Sequence, residues 1–104
     1  MKSIARIKMD FAKAKDDADK IDKIASEMRK LSRNRLENSM NELASVWMGA
    51  NSRMFLTKEQ KIQGEIEKTA ESLNDIASDI RRIAKKIYDA ERQACDIVSG
   101  MGGR

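Results

Sequence analysis

The chain has 104 residues, 37% of them charged and 4% aromatic, which is enough for one small domain but poor in the bulky side chains of a large core. Lys plus Arg number 21 against 17 Asp plus Glu, a net charge of +4, and the signs are interleaved rather than blocked, which speaks against a nucleic-acid-binding arm. With 0 His and Cys95 as the 1 cysteine, the composition excludes an intrachain disulfide, imidazole acid–base chemistry and Cys/His metal sites.

From Ile4 the apolar residues recur at alternating steps of three and four: Ile4, Ile7, Phe11, Ala14, Ala18, Ile21, Ala25 and Met28. This is a heptad seam, one stripe of side chains along a helix. Charged residues lie between them, and Asp16–Lys20 and Asp19–Lys23 are spaced for pairing one turn apart. Ala14 and Ala18 permit a neighbouring helix to approach closely. The stripe continues through Leu31, Leu36, Met40, Leu43 and Trp47. The step from Leu31 to Leu36 breaks the alternation, and a change of helix phase or a bend is expected there. Neither Gly nor Pro occurs before Gly49, so a first helix over about 3–47 is expected.

Next comes Val46-Trp47-Met48-Gly49-Ala50-Asn51-Ser52, with the only Trp of the chain. Gly49 suits the position just past a helix end, and Asn51 or Ser52 suits the cap of the next helix. A turn over about 48–51 is expected, short enough to set two helices antiparallel.

The second arm, about 52–98, carries its own seam: Ile62, Ile66, Ala70, Leu73, Ile76, Ile80, Ile83, Ile87, Ala90, Ala94 and Ile97. Residues 100–104, rich in Gly, read as a flexible tail. The fold expected is therefore all-α, one antiparallel two-helix hairpin over 1–99. Ile24 and Val98 fall off the main stripe and, with Leu31 beside the break in phase, leave a second apolar flank. Dimerisation into a four-helix bundle, a form of coiled coil, covers such a flank.

A chain of this length with two Pro-free arms and a central Trp47-Met48-Gly49, followed by an aromatic at Phe55, resembles the WXG100, or ESAT-6-like, proteins. The resemblance covers about Ile4 to Val98. It implies a helical hairpin that forms a homodimer, or a heterodimer with another WXG100-like protein or a larger effector. It also implies export through a type VII (ESX/Ess-like) secretion system, with recognition by a membrane ATPase of the FtsK/SpoIIIE type. Such a protein is secreted without a cleavable signal peptide, and no hydrophobic N-terminal signal is seen here. The family places a second signal, Tyr-X-X-X-Asp/Glu, near the end of the second helix. In this chain Tyr88 is followed at the fourth position by Arg92, and the acid is Glu91 at the third.

The resemblance makes Trp47, Gly49, Phe55, Tyr88 and Glu91 the candidate residues for partner and secretion recognition. Neither a catalytic nor a metal site is expected, nor a cofactor, a small-molecule substrate or a nucleic-acid ligand; the chain is not expected to be an enzyme. Two other readings compete with export: a cytoplasmic coiled-coil adaptor that is never exported, and a basic helical nucleic-acid binder. The first fails if intact cells release the protein; the second requires steeply salt-dependent binding to DNA or RNA.

Overall fold

The computed structural model describes residues 2–46 and 50–102; the side chains at 44, 50–52, 101 and 102 lie outside that description. The fold is an all-α helical hairpin. Helix α1 spans Ile4–Lys30, a π-helix follows at Leu31–Leu36, α2 spans Glu37–Val46 and α3 spans Ala50–Gly102. Ser3 starts α1: its side-chain oxygen accepts the Arg6 N–H at 3.2 Å and its carbonyl accepts the Ile7 N–H at 3.0 Å. The first bond satisfies an amide that the first turn leaves open, and the second is the first rung of the helix ladder.

Helix α3 differs at both ends from the range of about 52–98 expected from sequence. It begins at Ala50, so Asn51 and Ser52 lie inside its first turn rather than before it. It also runs through Gly100 to Gly102, where a tail from residue 100 was expected. Gly weakens a helix by about 1 kcal/mol relative to Ala, but the absence of Pro leaves every amide able to continue the ladder. A Cβ at Gly100 would meet nothing within 4 Å.

The packing is described in two compact units, Met1–Ile21 with Asp75–Arg104, and Asp22–Asn74. In the first unit the segments pair antiparallel, as Lys2–Glu91 and Asp19–Arg81 show. Ala18 and Ala77 are fully buried there. Asp19 bonds Arg81 across the pair at 2.7 Å, whereas Asp16 pairs with Lys20 one turn on, at 3.3 Å.

The second unit is also an antiparallel pair. Asn74 Nδ2 donates to Asp22 Oδ1 at 2.7 Å, Gln63 Nε2 donates to the Ser32 carbonyl at 3.0 Å, and Arg29 and Arg33 both reach Glu67. In that register Ala25 falls opposite Ala70, and both are 0% exposed. The break expected between Leu31 and Leu36 is the π-helix. Ala18, Ala25 and the buried Ser32 are seven residues apart, but the next buried residue, Met40, is eight beyond Ser32. The wider π turn takes up that one extra residue, so Met40 returns to the inner face.

The second-arm seam is corrected by this packing. Ala70 and Ala77 are the buried positions, while Ile62, Ile76, Ile83, Ile87 and Ile97 are about half exposed. The small residues allow the backbones to close up, which pushes the larger side chains to one flank. On α1 the same displacement leaves Ile24 and Leu31 exposed. Ala90 and Ala94, expected in the seam, are exposed.

Candidate partner-recognition face

The two flanks of each pair differ in chemistry. A residue one before or three after a buried position falls on one side of a helix; a residue one after or three before falls on the other. In the first unit, the side before Ala77 carries Ile76, Ile80, Ile83 and Ile87; the other carries the Asp19–Arg81 bridge. In the second unit, Ile24, Leu31, Ile62 and Leu73 share one side, and the Asp22–Asn74 and Arg29–Glu67 contacts share the other. Each unit thus has a flank tied by polar bridges and an apolar flank. Among the described residues no cluster of His, Cys, Asp and Glu is placed to hold a metal ion, and no helix is long and apolar enough to cross a membrane.

The apolar flank of the first unit contains a groove of about 410 Å³. Alanines at 14 and 84 leave it hollow, and Ile7, Ile80, Ile83 and Ile87 wall it. At its edge the Phe11 and Tyr88 rings pack with centroids 4.6 Å apart and planes tilted by 31°. Lys15 Nζ lies 4.9 Å from the centroid of Phe11, within cation–π range. Arg92 lies over Tyr88, and its Nη1 donates to the Tyr88 hydroxyl at 3.2 Å.

Lys2, which precedes α1, closes the polar end of the groove. Its ammonium lies 3.0 Å from Asp10 Oδ2 and 3.1 Å from Glu91 Oε1. Arg6 adds a 3.2 Å contact to Asp10. Hydrogen bonds to Asp10 and Glu91 hold the Lys2 pKa above its ordinary 10.5, and the Lys2 hydrogen bond holds Asp10 below its ordinary 3.8. The raised lysine stabilises the fold below pH 10.5 and stops doing so as pH rises through its folded value. The lowered aspartate stabilises above pH 3.8 and stops doing so as pH falls through its folded value. Lys2→Ala is therefore expected to melt below wild type by a constant margin from about pH 5 to 9. That margin should close at both extremes in melts followed by circular dichroism.

Of the residues singled out by sequence, Trp47 and Gly49 lie outside the described residues. Phe55 is half-buried on α3 in the second unit, and Tyr88 and Glu91 belong to the first. Tyr88 and Glu91 have separate partners: the hydroxyl takes Arg92 and the carboxylate takes Lys2. Sequence reasoning did not single out Lys2 and Asp10. Their roles depend on which residue of α3 stands opposite the start of α1, and no short-range spacing encodes that. Phe11 was visible as a seam residue, but its contact with Tyr88 depends on the same register.

The sequence profile of the WXG100 family, described as proteins of 100 residues with WXG, matches residues 6–92. Neither a curated protein nor a solved structure matches the chain.

Proposed function

The chain belongs to the WXG100 family, and from that premise we propose that it is a substrate of a type VII secretion system, or the small partner that accompanies a larger effector to it. Membership makes it an ESAT-6-like, secretion-associated helical protein. The observation that carries the finer reading is the family match across both arms and Trp47-Met48-Gly49. The apolar flanks support it. Half-exposed isoleucines at heptad spacing fit a second helical pair, giving a four-helix bundle with a second copy or a related chain. Recognition of this folded bundle, by an FtsK/SpoIIIE-type ATPase in this reading, then needs no cleavable signal.

In this proposal Trp47 and Gly49 form one recognition element. Tyr88 and Glu91 contribute from the helix end, and Phe55 supports the start of α3. Trp47→Ala is expected to reduce the protein in the culture supernatant of intact cells at least tenfold, about 1.4 kcal/mol of recognition. Its melting temperature should fall by only a few degrees. Normal export of that variant would remove Trp47 from the recognition element. A protein retained by intact cells that run a working secretion system would overturn the reading altogether.

A further inference from the structure

We propose that the groove of the first unit receives a lysine or arginine side chain from the partner helix, and that Lys2 occupies this place within the chain until a partner arrives. The walls are aliphatic and the hollow lies over Ala14 and Ala84, a shape for an unbranched alkyl stem. One end carries two carboxylates, Asp10 from α1 and Glu91 from α3. An alkyl stem ending in a cation matches both parts. Lys2 already puts an ammonium on that end, in contact with both acids.

Acceptor capacity remains after Lys2 is seated. Glu91 Oε2 is buried and has no hydrogen-bond partner. A buried carboxylate oxygen without a donor is costly, and a cation brought by a partner supplies the donor. Lys2 is easily exchanged, since it lies outside α1 and its side chain is 48% exposed. Ion pairs of that exposure are individually weak. An acidic or purely aliphatic occupant leaves Glu91 Oε2 unsatisfied, and an acidic one also meets two like charges.

This inference rests on the apolar flank being the pairing face, and adds the chemistry of what pairs there. Its test uses the whole chain and two probes with the same stem and opposite heads, n-octylamine and octanoate. Backbone amide shifts between residues 80 and 91 report binding by NMR. Octylammonium should bind there in preference to octanoate. Lys2→Ala should strengthen amine binding about three- to tenfold, and Lys2→Arg should leave it near the wild-type level. Equal binding of the two probes, no binding of the amine, or no effect of Lys2→Ala would overturn the proposal. Light scattering on the same samples tests the pairing reading separately: a monomer in the presence of every related chain defeats that reading, whatever the amine does.

Discussion

Ala70→Leu is expected to be the most damaging single substitution in the folded chain. Ala70 is fully buried, and Ala25 opposite it is fully buried as well. Two facing alanines, both fully covered, leave no room between the helices for a larger side chain. A leucine there must leave its rotamer or push the helices apart, at about 1–3 kcal/mol. Each kcal/mol lowers the melting temperature of a domain this size by roughly 4–8 °C. The same chemical change at Ala90, which is exposed, is expected to stay within about 0.5 kcal/mol. Thermal melts of the two variants decide the matter. If Ala70→Leu melts with wild type, the close approach is wrong.

The second large effect is on association rather than folding. Ile76 and Ile83 are 48% and 47% exposed and lie on the apolar flank of the first unit. The area each has left to bury corresponds to roughly 1 kcal/mol. Replacing both with aspartate removes that gain and requires two charges to be desolvated in the bundle. Pairing with the cognate chain, or with a second copy, is expected to weaken at least 100-fold, or about 2.7 kcal/mol. Helical content should be retained, because the buried alanines are untouched. Sedimentation velocity combined with circular dichroism separates the two outcomes. Loss of helix together with loss of pairing would mean that these isoleucines serve the hairpin's own core.

The contrast between these substitutions reflects how the two arms pack. The polar flank holds bridges such as Asp19–Arg81 at 2.7 Å and Asn74–Asp22 at 2.7 Å. Exposed pairs of the first kind contribute little to stability, typically below about 1 kcal/mol. They join named positions across each pair and so favour one register over its neighbours. The apolar flank of the first unit is tied only where Lys2 meets Asp10 and Glu91 at the end of the groove, and its isoleucines remain available to another helix. A single hairpin thereby keeps a defined register while leaving much of its large aliphatic surface for a partner.

The sequence by itself determined the all-α class, the two arms and the break in phase after Leu31. These depend on local chemistry: heptad spacing, the lack of Pro, and one residue too many for a regular turn. It also carried the family through Trp47-Met48-Gly49 and the length of the flanking arms. It did not determine which stripe of α3 would be buried. Ile62, Ile76, Ile83 and Ile97 follow the same seven-residue spacing as Ala70 and Ala77, one position earlier, so period alone cannot rank the two lines. Hydrophobicity favours the isoleucines, but the pairs close on alanine because small side chains let two helices come nearest. Only the tertiary structure, by setting Ala25 against Ala70 and Lys2 beside Glu91, decided that order. It thereby placed the isoleucines on an outer flank and formed the groove that Lys2 closes.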